Sequence, residues 1–567
     1  MTQNRAVGLG LILAVASVGA STPSCAGQST TQPVMPTTVR LHVDAGKPIG
    51  DYRPIWSYFG ADEPNYTYAP NGAKLLRELS AINPDVTVYF RPHNLLTSGN
   101  GQGSLKWGST NVYSEKPDGT AVYDWTITDK LFDNFKATHI KPMVEIGFMP
   151  EDLSSHPTPY RHQFPKKVPG DIWTGWSYPP KDYTKWRALI VAWVEHLHQR
   201  YGADVDLWMW EVWNEPDIPY FHGSAEEYYK LYDITTAAVR QVLPHAKIGG
   251  PATTGPGENS PFLRNFLEHC ARGINAETGK PGVPLDFISF HPKGDPKIVD
   301  GHVRMNLGRQ LSATDRGMRI VAGFPEYKNT PIILSETDPE GCAACQGSQN
   351  SYRNGALYGA SIAEMLARSA EIARLRGVNL AGAVTWAFEF EDQSWFAGFR
   401  ELATNGVDKP VLNVFRMYGK LGGERLALSS SGALDVEQIE QNGVTGEPDV
   451  NGIATREREI VDILLWNYHD DDVSSPATQI EMEVAGLPAK SVRIMQYRLD
   501  RDHSNAYTAW LAMGSPQEPS AAQIANLQRV GGLQILEETT LRTTSVSPLE
   551  LKTTLPRHGV ALYHVSW

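Results

Sequence analysis

Short apolar, β-rich runs alternate with stretches of helical period along most of the chain. The runs cover residues 55–59, 86–90, 142–148, 207–213, 247–250, 285–290, 332–334 and 383–388. Their lengths suit buried strands. Between them lie helical segments, among them 183–201 and 225–243. In the first, Trp186, Leu189, Ile190, Trp193, Val194, Leu197 and Tyr201 recur every three or four positions, which predicts one apolar helix face. Eight strand–helix alternations predict an α/β fold, a (β/α)8 TIM barrel with long loops, over residues 41–421. In such a barrel the chemistry sits where strands end at the C-terminal side.

The pattern changes beyond residue 422. Runs at 460–466, 479–484 and 491–495, separated by turn residues, predict a mostly antiparallel β-sandwich over 422–567. The segment Leu41-His42-Val43-Asp44 is a candidate strand of the same sheet. Residues 27–40 are rich in Ser, Thr, Gln and Pro and read as a linker. Ahead of them Arg5 and the apolar stretch 7–16 read as a signal peptide, too short for a membrane span. Cleavage after Ala26 fits Ser24-Cys25-Ala26. A lipid anchor on Cys25 is the alternative, although Thr22-Pro23-Ser24 matches such a site poorly. The expectation is an exported chain, periplasmic or extracellular, with no membrane span.

A length of 567 residues implies two or three domains. The net charge of −12 argues against a nucleic-acid partner, which needs a basic face. Fifteen Trp and 23 Tyr suit sugar stacking or ordinary core packing. Without the signal, three cysteines remain, and Cys342-Ala343-Ala344-Cys345 predicts a local disulfide in an exported protein. No partner ligands for a zinc site accompany it.

Two glutamates close apolar runs: Glu215 in Trp213-Asn214-Glu215-Pro216, and Glu336 in Leu334-Ser335-Glu336. Glycoside cleavage with retention needs two carboxyls flanking one sugar ring, roughly 5–5.5 Å apart. A barrel of parallel strands brings such strand ends together. Their repulsion and partial burial would allocate one proton between them. Asn214 is placed to donate to a sugar hydroxyl and to the other carboxylate. His93 and His291 end their own runs and are candidate sugar-hydroxyl ligands, and Trp386 a candidate stacking face. No nucleotide-binding glycine pattern and no HExxH motif occurs, so no cofactor or metal is expected. The acidic residues Glu389, Glu391 and Asp392 read as a loop rim, with a cation site as the alternative.

The chain resembles glycoside hydrolase family 39, whose members are mainly β-xylosidases and α-L-iduronidases. The resemblance rests on Tyr89-Phe90-Arg91-Pro92-His93, on residues 141–150, on Trp213-Asn214-Glu215-Pro216, on Gly249-Gly250-Pro251-Ala252, on Phe287-Ile288-Ser289-Phe290-His291 and on Ser335-Glu336. Asp502-His503-Ser504-Asn505-Ala506-Tyr507, Trp510 and Met513-Gly514-Ser515-Pro516 extend it, and are similar to the β-xylosidase branch. The resemblance implies that Glu215 is the acid/base and Glu336 the nucleophile, with His93, Asn214, His291 and Trp386 at sugar-binding positions. One departure stands out. Where β-xylosidases usually carry His-x-Tyr, this chain has His291-Pro292-Lys293-Gly294, similar to the iduronidase branch, in which the lysine holds a sugar carboxylate. His291 and Lys293 point to one side of an extended segment. The expectation is a retaining exo-glycosidase without cofactor, a β-xylosidase acting on xylo-oligosaccharides. A uronide exo-hydrolase is the alternative, and a non-catalytic carbohydrate-binding barrel a remote one.

Overall fold

The computed structural model describes residues 38–162, 172–256, 261–544 and 547–567. The expected signal peptide, Cys25 and most of the expected linker lie outside the described residues.

All eight expected runs contribute a barrel strand: β1 Tyr58–Ala61, β2 Tyr89–Pro92, β3 Lys141–Ile146, β4 Met209–Val212, β5 Lys247–Thr254, β6 Phe287–His291, β7 Ile332–Leu334 and β8 Leu380–Thr385. They pair in sequence order into a closed parallel barrel, with β8 hydrogen-bonded to β1. The helix Tyr183–Tyr201 buries the seven apolar residues its period singles out. Asp182 caps it by accepting from the Thr184 and Lys185 amides at 2.8 and 3.2 Å. Gly202, with φ 61°, ends it. Ser224 caps the next helix, Ala225–Val242.

The strand Thr38–Asp51 corrects two expected boundaries. It lies in the sheet of the C-terminal half, antiparallel to Glu424–Ser430 and parallel to Thr478–Ala485. Residues 38–40 are therefore strand rather than linker, and 41–51 belong with the sandwich. The cause is the alternation of buried Val39, Leu41 and Val43 with exposed Thr38, Arg40 and His42. The whole sheet has nine strands. It curls over itself, so that Val39, Leu41 and Val43 share a core with Ile463, Val492 and Val565. Arg498 ties the two layers by donating to the Thr554 carbonyl at 2.9 Å. The other face of the strand Ile460–Tyr468 presents Leu464, Trp466 and Tyr468 to the barrel's own core. Three helices, Val436–Asn442, Ala506–Ala512 and Ala521–Gly531, interrupt the β-structure; Trp510 and Leu527 pack with Trp395, Phe396 and Val407 of the loop after β8. Among the described residues no helix is long and apolar enough to cross a membrane.

Candidate active site

Three charged side chains stand inside the barrel: Arg91 on β2, Glu145 on β3 and Glu211 on β4, all 0% exposed. A buried charge is tolerable only when paired. The Arg91 guanidinium accordingly pairs with Glu211 and approaches Glu145 at 3.4 Å. It also donates to Asn214 Oδ1 at 2.9 Å and to Glu336 Oε1 at 3.3 Å. One arginine thereby orients groups from the ends of β4 and β7. Its guanidinium lies over the Trp386 ring, with Cζ 5.0 Å from the ring centroid.

Glu215 follows β4 in a left-handed backbone conformation (φ 44°), as does Trp213 (φ 67°). Both depart from the usual range for non-glycine residues. The Glu215 amide donates to the Ala252 carbonyl after the β5 bend, at 2.8 Å, which pins the turn. Glu336 follows β7. One ligand oxygen of Glu215, one of Glu336 and one His291 nitrogen all lie within 4.8 Å of each other. The two carboxyls thus meet at the C-terminal mouth, close to the spacing that retention requires.

The two carboxyls sit in different surroundings. Glu336 is nearly buried, its Oε2 accepting from Lys293 Nζ at 2.6 Å. His93 Nε2 and His291 Nδ1 lie 3.6 and 3.8 Å from Oε1. Burial pushes the Glu336 carboxyl up, but the combined field of Lys293, His291, His93 and Arg91 outweighs it and holds the group well below the usual carboxylate range. Glu215 has 14% of its side chain exposed and, among the described residues, one close partner of this kind, His291 Nδ1 at 2.9 Å from Oε1. His291 Nε2 is buried with no hydrogen-bond partner among the described residues.

His93 stands between two acids, with Nδ1 3.0 Å from Asp62 and Nε2 2.7 Å from Glu145. Burial pushes its imidazolium down, but Glu145 and Asp62 outweigh this and raise it to about 9. Lys106 Nζ joins Asp62 at 2.6 Å, so the wall beside His93 carries a second ammonium group.

Lys293 lies 3.6 Å from Asp338 Oδ2. The same carboxyl accepts from the Trp386 amide at 3.0 Å. Arg400 Nε donates to the Trp386 carbonyl at 2.8 Å and lies 3.5 Å from Asp338. These contacts lock the ends of β7 and β8 together beneath Lys293. The set Glu215, His291 and Glu336 has spacing that could hold a cation. The ammonium of Lys293 and the guanidinium of Arg91 already supply positive charge to Glu336, which opposes a metal ion there.

All the candidates read from the sequence converge here: His93, Asn214, Glu215, His291, Lys293, Glu336 and Trp386 lie in one contact network. Two differ from expectation in detail. Asn214 bonds to Arg91 rather than to Glu336, which fixes its amide and leaves the nitrogen as its donor. Trp386 is 2% exposed, packed against His93 at 4.4 Å and under Arg91. A Cβ on Gly60 would come within 2.4 Å of its ring. The ring is thus a support for charged side chains rather than an open stacking face. Arg91, Glu145, Glu211, Asp62, Lys106, Asp338 and Arg400 were not among the candidates. For Glu145 and Glu211 the signal is in the sequence: a lone charge inside an apolar strand run must point into the barrel and find a partner there, whereas Arg91 lies one residue beyond the run 86–90. Among the described residues Glu389, Glu391 and Asp392 do not converge into a group with cation-holding spacing, and Glu389 accepts from the Gly406 amide at 2.6 Å.

A closed parallel barrel with two carboxyls facing each other at its C-terminal mouth is the framework of a glycoside hydrolase. The chain belongs to glycosyl hydrolases family 39, whose profile matches residues 39–541. Similar proteins include a β-xylosidase of Geobacillus stearothermophilus, 27% identical over 77% of this chain and 79% of its own length. An α-L-iduronidase of Mus musculus is 26% identical over 86% of this chain and 75% of its own. Among solved structures, a monomeric β-xylosidase from Caulobacter crescentus CB15 shares the fold, with a TM-score of 0.72 at 22% identity over 93% of this chain and 99% of that one.

Proposed function

We propose that the protein is a retaining exo-glycosidase in which Glu336 is the nucleophile and Glu215 the acid/base. The observation that carries this reading is the pairing of two carboxyls within 4.8 Å, one strongly held as carboxylate by the basic side chains around it and the other more exposed. Glu336 attacks the anomeric carbon while Glu215 passes its proton to the leaving oxygen. Glu215 then takes a proton from water, which releases the sugar. Arg91 holds Glu336 and Asn214 in register throughout. The buried, unpartnered His291 Nε2 and the Asn214 amide are the groups left to bind sugar hydroxyls. The Cys342–Cys345 disulfide suits an oxidising compartment and supports export.

The roles are tested with leaving groups. Glu336→Gln loses turnover of every substrate. Glu215→Gln loses far more on an unactivated glycoside than on a nitrophenyl glycoside, which needs little protonation. Azide partly restores the Glu215→Gln variant by attacking the glycosyl-enzyme. Equal losses on both leaving groups would contradict the assignment.

For the sugar, the first reading is a terminal β-xyloside, in line with the names of two of the similar proteins. One specific observation favours a second: Lys293 Nζ lies on Glu336, within the space the reacting sugar must enter. An α-L-iduronide has the configuration of a β-D-xyloside at C1 to C4 and adds a carboxylate at C5. Lys293 is placed to read that one substituent. A charge-assisted bond is worth roughly 1.5–3 kcal/mol, or about one to two decades in kcat/KM. The uronide reading predicts that wild type favours an aryl α-L-iduronide and that Lys293→Tyr reverses the preference by that factor. If wild type prefers the β-xyloside and Lys293→Tyr leaves the ratio unchanged, the enzyme is a β-xylosidase in which Lys293 only holds Glu336.

A further inference from the structure

A cleft of about 510 Å³ lies at the opposite end of the barrel from Glu215 and Glu336. Asn329 just before β7, Leu380 at the start of β8 and Ile55 just before β1 mark it as the N-terminal end, where the barrel meets the sandwich sheet. Its apolar lining comes from Leu366, Ala370 and Ala373 on the helix Ala356–Arg376 and from Ile453 on the sheet. Tyr52 and Tyr418 add two rings, whose hydroxyls are committed to the carbonyls of Tyr418 and Ala363.

The polar lining is unbalanced. Three arginines, Arg53, Arg374 and Arg425, face the cleft against a single acid, Asp51. Arg53 donates to Asn379. Among the described residues neither Arg374 nor Arg425 makes a hydrogen bond or an ion pair through its side chain, and Arg425 Nε is buried without a partner. Glu371 acts on Arg425 through space, but its carboxylate is engaged by Arg368 at 2.7 Å. Burial, reinforced by the like charge of Arg374, pushes the Arg425 guanidinium below its ordinary value in spite of Tyr418. Arg425 is half-buried in the apolar cleft and the exposed Arg374 stands beside it at the rim; a partly buried guanidinium next to a like charge is costly unless an anion joins them. The volume is that of a small-molecule site: apolar walls with a few convergent polar groups.

We propose that this cleft binds an organic carboxylate with a compact apolar or aromatic body, its carboxylate between Arg374 and Arg425 and its body against Leu366, Ala370 and Ile453. The site is separate from the catalytic mouth.

Calorimetric titration of the full chain with benzoate, and with benzamide as the neutral isostere, tests this. Benzoate is expected to bind saturably and at least about tenfold more tightly than benzamide. Arg374→Gln, an exposed position, is expected to weaken benzoate at least about tenfold and to leave turnover of an aryl glycoside unchanged. Arg374→Gln/Arg425→Gln removes binding; should that pair fail to fold, the single variant decides. Three results each overturn the proposal: no saturable benzoate binding to wild type, equal binding of benzoate and benzamide, or benzoate binding that survives Arg374→Gln and competes with the glycoside. The last would place the anion at Lys293 instead.

Discussion

At the scale of single residues, His93 shows how a buried network sets charge. Its imidazolium is raised from 6.5 to about 9 because burial is overcome by Glu145 and Asp62. A group whose value is raised on folding stabilises the fold fully below its unfolded value and loses that contribution as pH rises through the folded one. The loss from this residue therefore falls between pH 6.5 and about 9. At about 1.4 kcal/mol per unit it is on the order of 3 kcal/mol. The carboxyl of Glu336 is shifted the other way, so its contribution is lost only as pH falls below the usual carboxylate range. The two effects do not overlap. Urea unfolding at the two ends of the alkaline window checks this. Wild type should lose stability across it, and His93→Gln should start lower and stay nearly flat. A variant with the same slope as wild type would mean that His93 carries no extra proton in the folded state.

At the scale of elements, the strand–helix alternation was legible because each run had to be apolar to enter the barrel. The ends were less so. The run at 383–388 proved to be Leu380–Thr385, since Trp386, Phe388 and Phe390 are buried in the following loop and look strand-like for that reason. Glu215, Glu336 and the two histidines were visible because a polar residue ending an apolar run is a local signal. Asp338 and Arg400 were not, because they act on Lys293 and Trp386 through contacts that only the closed barrel creates. The loop after β7 shows this best. Arg353 donates to the carbonyls of Cys342 and Cys345 at 3.1 and 2.9 Å and to that of Gly398 at 3.0 Å. Glu340 joins Arg353 and Arg400. The Cys342–Cys345 disulfide therefore holds carbonyls that anchor the arginine layer under Asp338. Closing so short a loop is worth about 2 kcal/mol in chain entropy. Cys342→Ser/Cys345→Ser should lower the Tm and also lower kcat/KM, because Asp338 positions both Lys293 and Trp386. A lowered Tm with unchanged kcat/KM would confine the disulfide to stability.

At the scale of the whole molecule, barrel and sandwich share structure at both ends of the chain. The strand Ile460–Tyr468 is apolar almost throughout because one face fills the sandwich core and the other packs on the barrel. The N-terminal strand Thr38–Asp51 threads between two strands of the C-terminal half before the chain enters β1. A defect in the sandwich should therefore be felt at the catalytic mouth, although no sandwich residue touches Glu215 or Glu336 in the contacts above. Leu41 is the sharpest probe: it is 2% exposed, paired on both sides, and far in sequence from both carboxyls. Truncating such a leucine costs roughly 2–5 kcal/mol through lost burial and the cavity left behind. Its exposed neighbour Arg40 should cost within about 0.5 kcal/mol. If the two halves unfold as one unit, Leu41→Ala shifts the urea midpoints of tryptophan fluorescence and of aryl-glycosidase activity together, and Arg40→Ala shifts neither. Most tryptophans lie in the barrel, so fluorescence reports chiefly on that half. Activity and fluorescence that hold at the wild-type midpoint, while circular dichroism records an earlier loss of β-structure, would show that the sandwich melts alone.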